Sequence, residues 1–170
     1  MTNRKAKQKQ ESREAIEVSA AALLRERGIA ASSVMDVMKG AGLTVGGFYN
    51  HFDSKEDLFV QVLQNASRAN WNNLLKAARG ASPRARALNV TTQYLSRQHR
   101  DCKDTGCVLP SVAAEVARAG EPYRSALEEE LSSFIKSFAQ MVDAVAGTRL
   151  SDEFLQAGKK LSERCLPRET

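Results

Sequence analysis

Residues 32–58 read SSVMDVMKGAGLTVGGFYNHFDSKEDL, and this stretch decides the fold of the chain. Apolar residues at helical spacing predict a short helix over residues 33–40. Gly42 favours a tight turn, because glycine reaches left-handed backbone angles at little cost. Thr44 then suits the N-cap of a second short helix, residues 45–50.

Capping residues mark the other helix starts in this stretch. Ser32 or Ser33 is the expected N-cap of the first helix. Ser54 and Asp57 have capping-box spacing, so a third helix should begin at Lys55. Two short helices, a glycine turn and a capped third helix predict a helix-turn-helix, whose second helix enters the major groove of DNA.

The run from residue 42 to residue 59 resembles the TetR family of one-component transcriptional regulators. The matching residues occur in order and at the family spacing: Gly42, Thr44, Gly47, Phe48, Tyr49, His51, Phe52, Ser54, Lys55, Glu56 and Leu58. This resemblance implies an all-α fold, with a DNA-binding unit followed by a helical domain for effector binding and dimerisation. The sequence itself shows no catalytic triad, no glycine-rich phosphate loop and no pair of catalytic carboxylates, so we expect that the protein is not an enzyme.

Composition and charge fit this reading. The chain has 170 residues, 42% of them hydrophobic, a net charge of +5 and three cysteines. We expect no membrane span, no secretory signal and reduced thiols in the cytoplasm. Basic residues cluster at 1–13, where we expect contact with DNA phosphates or the minor groove, and again at 84–103. The two histidines have no zinc-ligand spacing around them, so neither a metal nor a cofactor is expected.

Helical periodicity predicts the remaining elements and an all-α fold. We expect helices at residues 14–28, 55–79, 84–100, 108–119, 122–145 and 153–164. The inner face of the helix at 84–100 should carry Leu88, Thr91, Thr92 and Leu95. The domain boundary is placed inside the long helix, giving a DNA-binding domain at 1–64 and a regulatory domain at 65–170.

The candidate DNA contacts lie at the helix-turn-helix and are Ser33, Thr44, Val45, Gly46, Gly47, Tyr49, Asn50, His51 and Lys55. Val45 can meet a thymine methyl and Asn50 a base or a phosphate. The resemblance implies phosphate contacts for Tyr49, His51 and Lys55. Phe48 and Phe52 are expected in the core.

The second half of the chain should hold a small effector, mostly apolar or electrophilic. The candidate pocket residues are Trp71, Leu75, Leu88, Tyr94, Leu109, Phe134, Phe138 and Met141, and ordinary core packing is the alternative for each. Cys107 precedes a predicted helix, with Arg100 and Lys103 near it in sequence, so its thiol pKa is expected to be lowered. It is therefore a candidate redox or electrophile sensor with Cys102 as partner, and a buried core cysteine is the alternative.

The end of the chain departs from the family pattern. Only residues 147–149 separate the helix that ends near Val145 from a final helix similar to that of the family. A further helix usually lies there, so the geometry of the expected homodimer is in doubt. The main hypothesis is a repressor that binds pseudo-palindromic double-stranded operator DNA. The alternative is a helical interaction module with impaired dimerisation and vestigial DNA binding.

Overall fold

The computed structural model describes residues 2–102 and 106–146, and the side chains of residues 4–102 and 106–141. Every regular element in these ranges is helical, which confirms the all-α fold. The elements are α1 (Thr2–Arg27), α2 (Val34–Gly40), a 3-10 helix (Val45–Asn50), α3 (Lys55–Ala77), α4 (Pro83–Tyr94), α5 (Arg97–Asp101), α6 (Leu109–Ala119) and α7 (Tyr123–Ala146).

The first helix begins at Thr2 rather than at residue 14, so the predicted basic tail is helical. This part of α1 has no apolar stripe, and therefore periodicity missed it. It is composed of good helix formers and carries pairs at i,i+4 spacing. Lys7 Nζ lies 3.7 Å from Glu11 Oε1, and Gln10 Nε2 donates to Glu14 Oε1 at 2.8 Å.

The helix predicted at 84–100 is two helices, α4 and α5, because Ser96 caps a new start. The Ser96 hydroxyl accepts from the His99 N–H at 3.1 Å. The predicted inner face of α4 is also wrong. Val90 is buried against the core, which turns Leu88, two residues away, to the opposite side of the helix, where it is 67% exposed. The other residues predicted on that face are exposed as well: Thr91, Thr92 and Leu95.

The N-terminal half has its own apolar centre, in which α1 packs on α2 and α3. The fully or almost fully buried side chains there are Ile16, Ala20, Leu24, Val37, Met38, Phe48, Phe52, Leu58 and Phe59. The rings of Phe48 and Phe52 stack with centroids 5.8 Å apart. Their burial confirms the expectation that these two aromatics are core residues.

Helix α3 continues without interruption through the predicted boundary at residue 64 and packs on α7. The Arg68 guanidinium bonds both carboxylate oxygens of Glu130, a buried residue of α7. The division into 1–64 and 65–170 stays a prediction.

Some expectations lie outside the described residues: those for Lys103, for residues 147–149, for the helix at 153–164 and for Cys165. Among the helices that are described, none is long and apolar enough to cross a membrane.

Candidate nucleic-acid interface

The first helix of the motif is held by a complete capping box. The Ser33 hydroxyl accepts from the Asp36 N–H at 3.1 Å and donates to Asp36 Oδ2 at 2.7 Å. The bonds that the Asp36 carboxyl accepts from the hydroxyl and the main-chain N–H of Ser33 lower its pKa. Gly42 has φ +70° and makes the turn, after which the Leu43 N–H bonds the Met38 carbonyl at 2.9 Å. Ser33 thus caps α2 as predicted, and its hydroxyl is engaged there.

The second helix of the motif is a 3-10 helix, Val45–Asn50. Thr44 occupies its N-cap position with extended backbone angles but makes no side-chain cap bond, so the expected cap is wrong in that respect. Two adjacent glycines lower helix propensity by roughly 1 kcal/mol each relative to alanine, and short tight turns suit 3-10 geometry. The Gly47 N–H accordingly bonds the Thr44 carbonyl at 3.0 Å.

This 3-10 helix exposes one side and anchors the other. Phe48 is fully buried, and Tyr49 stands edge-on to it at 5.3 Å between centroids while remaining 73% exposed. Val45 is 46% exposed, and Thr44, Gly46 and Asn50 are exposed. Met35 on α2 is 64% exposed, a surface side chain that the sequence prediction left out.

The two glycines of the 3-10 helix are not required by the fold. Neither Gly46 nor Gly47 has a positive φ. A Cβ on Gly46 would have no neighbour within 4 Å, and one on Gly47 would meet only Thr44 and Met38 at ordinary contact distances. The fold therefore has room for a side chain at both positions.

Helix α3 begins at Lys55, five residues after the 3-10 helix ends. Ser54 Oγ accepts from the Asp57 N–H at 2.9 Å, whereas Asp57 Oδ2 accepts from the Asp53 N–H at 3.2 Å rather than from Ser54. The bond from the Asp57 carboxylate back to the main chain thus goes to the residue before the N-cap, Asp53, instead of to Ser54. Lys55 Nζ lies 5.7 Å from the centroid of the Phe59 ring and is half-buried.

Arg13, which the sequence analysis grouped with the basic residues 1–13, bonds other residues of the protein. Its guanidinium donates to the His51 carbonyl at 2.6 Å and to Gln61 Oε1 at 2.5 Å, and lies 4.3 Å from the centroid of the Phe52 ring. It also pairs with Glu17 at 3.2 Å. Arg13 thus ties α1 to the end of the 3-10 helix and to α3.

The N-terminal extension of α1 forms a basic cleft with the end of the 3-10 helix. This cleft has a volume of about 450 Å³ and is lined by Lys5, Gln8, Lys9, Ser12, Asn50 and His51. Burial, together with the nearby charges of Lys9 and Arg13, lowers the pKa of His51, so its imidazole is neutral at pH 7. The buried His51 Nδ1 has no partner within the described residues. The i,i+4 spacing of Lys5 and Lys9 was the signal in the sequence that could have placed them on one helical face.

Residues 16–62 match the family model described as bacterial regulatory proteins, tetR family. The matched residues include the buried centre of the N-terminal half and the whole helix-turn-helix. Residues 16–62 thus carry the DNA-binding unit of the TetR family.

Several relatives carry the same motif. The chain is 28% identical over 118 residues to the transcriptional repressor DhaR of Mycobacterium sp. (strain GP1), a match covering 69% of this chain and 58% of DhaR. It is 27% identical over 124 residues to the repressor NemR of Escherichia coli K12, covering 71% of this chain and 62% of NemR. The chain thus matches less than two thirds of each of these relatives.

A solved structure shares the fold. The reduced form of E. coli NemR superposes with a TM-score of 0.68 at 23% identity, covering 91% of this chain and 83% of NemR. The two chains therefore share the all-α fold.

The effector residues predicted from the sequence are only partly brought together. Four rings form one column: Trp71 stacks on Phe134 at 5.3 Å, and Phe134 on Tyr94 and on Phe138 at 6.1 Å each. Leu75, Leu109 and Met141 are half-buried. Leu88 is on the outer face of α4, so its assignment to the pocket is wrong.

The thiol of Cys107 differs from expectation. Burial is the largest influence and raises its pKa, although the Leu109 N–H and the charge of Arg25 act in the opposite direction. Arg100 pairs instead with Asp101, at 2.8 Å from Nη2 to Oδ2. Cys102 is half-buried, and neither it nor Cys107 forms a disulfide. The lowered pKa predicted for Cys107 is therefore wrong in direction, while its role as a sensor stays untested.

Proposed function

We propose that the chain is a sequence-specific DNA-binding transcriptional regulator that acts as a repressor on double-stranded operator DNA. The observation that carries the proposal is the one-sided 3-10 helix: a buried Phe48 anchors it, while Val45, Gly46 and Asn50 are presented to the outside. Two glycines that the fold does not need leave its surface smooth. Such a surface suits close approach to base edges in the major groove.

Phosphate contacts would flank this surface and set the register on DNA. Tyr49 lies within the 3-10 helix and is exposed, Lys55 begins α3, and the basic cleft with Lys5, Lys9 and His51 lies at the end of the 3-10 helix. Among the residues predicted to contact DNA, Ser33 has the least support, because its main-chain N–H points to Asp36 Oδ2 at 3.4 Å. The ammonium groups of Lys5, Lys9 and Lys55 would neutralise phosphates and release counterions.

We also propose that a small effector in the regulatory domain, residues 65–170, releases the DNA. The aromatic column formed by Trp71, Tyr94, Phe134 and Phe138 supports a mostly apolar effector. The buried indole N–H of Trp71 has no partner among the described residues, so an effector with one hydrogen-bond acceptor would gain there.

Two connections can carry a shift from that domain to the DNA-binding unit. One is α3, a single helix from Lys55 to Trp71 and beyond. The other joins α6 and the segment before it to the end of α1: Arg25 Nε donates to the Gly106 carbonyl at 2.9 Å, and Ser111 Oγ donates to the Arg25 carbonyl at 2.5 Å. The Ile29 N–H adds a bond to Glu115 at 2.6 Å. Any displacement of α6 would thus act on α1 directly.

A homodimer would place two such surfaces on one operator, with recognition helices about 34 Å apart. The mass of the purified chain in solution tests this: a dimer is expected, and a monomer would favour the alternative of an interaction module. Anisotropy titrations then compare an enriched duplex with a random-sequence pool at one salt concentration. We expect an affinity ratio of at least about 10³. A ratio near one would contradict sequence-specific binding.

A further inference from the structure

The outer face of α4 presents two large aliphatic side chains to solvent. Leu88 is 67% exposed and Leu95 is 75% exposed, and the two residues between them on this face, Thr91 and Thr92, are exposed as well. Their spacing of i, i+3, i+4 and i+7 places all four on one side of a helix. The opposite side of α4 packs on α3 and α7 and buries Val90. The apolar stripe that the sequence contains is therefore present, but it faces outward.

The threonine pair on this face needs no hydrogen-bond partner from outside the helix. Thr91 Oγ1 donates to the Ala87 carbonyl at 3.1 Å, and Thr92 Oγ1 donates to the Leu88 carbonyl at 2.9 Å. Burial of an unpaired hydroxyl costs free energy, whereas these two hydroxyls keep their partners when the face is covered. Apolar surface can therefore pack on this face without leaving a side-chain donor unsatisfied.

The outward residues of α4 have the same order in both directions along the chain. Residues 88–95 read LNVTTQYL, and the outward positions are Leu, Thr, Thr and Leu. The Leu95 N–H bonds the Thr91 carbonyl at 3.0 Å, so helical bonding reaches the second leucine. A two-fold axis between Thr91 and Thr92 would place Leu88 against the partner's Leu95 in an antiparallel copy. An interface of this kind, in which one patch serves both subunits, is the usual arrangement of a symmetric pair.

The charges around this face all have the same sign. No Asp or Glu occurs from residue 79 to residue 100, and residues 88–95 carry no charge at all. Arg84 and Arg97 are exposed just before and just after the face. In an antiparallel pair, arginines of both copies lie near each end, so their repulsion opposes the contact. Salt screens that repulsion and should therefore strengthen the contact.

The small size of the face limits the strength of such a contact. Two leucines and two threonines from each copy cover much less than the roughly 800 Å² per partner of a standard interface. The contact should therefore form at high protein concentration and dissociate on dilution.

We propose that the outer face of α4 is a contact surface for a second copy of this chain, packed antiparallel with Leu88 against the partner's Leu95. This goes beyond the homodimer proposed above, because it assigns a surface and does not require DNA. If another surface already joins two copies, the α4 contact joins two such pairs. In either case the mass doubles as the protein concentration rises.

Sedimentation equilibrium of the full chain without DNA tests the contact over a range from about 1 µM to about 500 µM. We expect the mass of the wild type to double within this range, and to do so at lower protein concentration in roughly 0.5 M than in roughly 0.05 M salt. Replacement of both leucines by lysine, Leu88→Lys with Leu95→Lys, should raise the dissociation constant at least about tenfold. This variant removes the apolar contact and places like charges opposite each other.

A charge-swapped variant, Leu88→Glu with Leu95→Lys, distinguishes the antiparallel pair from other arrangements. It loses the same two leucines, but the two-fold axis places a carboxylate opposite an ammonium group twice. It should therefore associate more tightly than the double-lysine variant at low salt. Val18→Lys is the matched control, because Val18 is 71% exposed on α1 and lies outside this face; it should associate as the wild type does. Thermal unfolding of every variant should match the wild type, since the replaced side chains are exposed.

A wild-type mass that stays constant over the concentration range would overturn the proposal. A constant mass of two copies would remove only the α4 contact and leave the homodimer, whereas a constant mass of one copy would remove both. Equal association of the two double variants, or a wild-type contact that salt weakens, would also overturn it. A constant mass together with a lower unfolding temperature of both double variants would show that another part of the same chain covers the face.

Discussion

Replacement of Lys5 and Lys9 together by alanine should remove two phosphate contacts from each bound subunit. Both side chains are exposed and line the basic cleft beside Asn50 and His51. The fold should be unaffected, because neither lysine has an ion pair in the structure described. Each neutralised phosphate contributes about 0.9 to the slope of log K against log salt. The slope should therefore fall by about 1.8 for one subunit and about 3.6 for two.

The same figures give the loss of affinity. If the double variant and the wild type bind DNA with equal affinity at 1 M salt, the variant should bind about 60-fold more weakly than the wild type, per subunit, at 0.1 M salt. The assay is anisotropy on one duplex over a series of salt concentrations. Lys7→Ala is the matched control, because Lys7 lies on the opposite side of α1 and pairs with Glu11 at 3.7 Å. A double variant whose slope changes no more than that of Lys7→Ala would refute the assignment of the cleft to phosphate.

Three further predictions concern single residues. Tyr49→Phe and Lys55→Ala should weaken binding about equally on specific and random duplexes, and Lys55→Ala should lower the salt slope by about one unit; a changed base preference would contradict a phosphate contact. Gly47→Leu should abolish binding while thermal unfolding stays normal, since the Cβ has room in the protein itself; retained binding would mean that DNA does not approach there. Burial raises the pKa of Cys107, so its thiol stays protonated at pH 7. Its reaction with a thiol reagent at pH 7 should therefore be slower than that of Cys102, and it should become faster as the pH rises. Release of DNA by the reagent from the wild type but not from Cys107→Ser would support sensing, and an equal response would leave Cys107 as a core residue.

Local signals in the sequence located the helix-turn-helix well. Ser33, Gly42 and Ser54 act through backbone bonds within a few residues, so their effect can be read without knowing the rest of the fold. The anchoring role of Phe48 and Phe52 was equally clear from the motif. The structure departs from the sequence prediction at Thr44, which occupies the predicted N-cap position but whose hydroxyl makes no cap bond.

Features set by distant contacts could not be read in this way. Which side of α4 is inner depends on how it meets α7, and the structure buries Val90 rather than Leu88. Arg13 reaches His51 and Gln61, which are far away in sequence, so its charge alone suggested a DNA contact. The polar start of α1 was missed for a different reason. Its helix depends on helix propensity and i,i+4 pairs rather than on an apolar stripe, so apolar periodicity does not reveal it.

The central claim is that the 3-10 helix reads DNA sequence, and selection of bound duplexes from a random library tests it most directly. The purified wild-type chain and the Gly47→Leu variant are taken through the same rounds, and the recovered DNA is sequenced. We expect the wild type to enrich one motif of two inverted half-sites with centres about 34 Å apart, and the variant to enrich none. No enriched motif with the wild type, or the same motif with the variant, would contradict it.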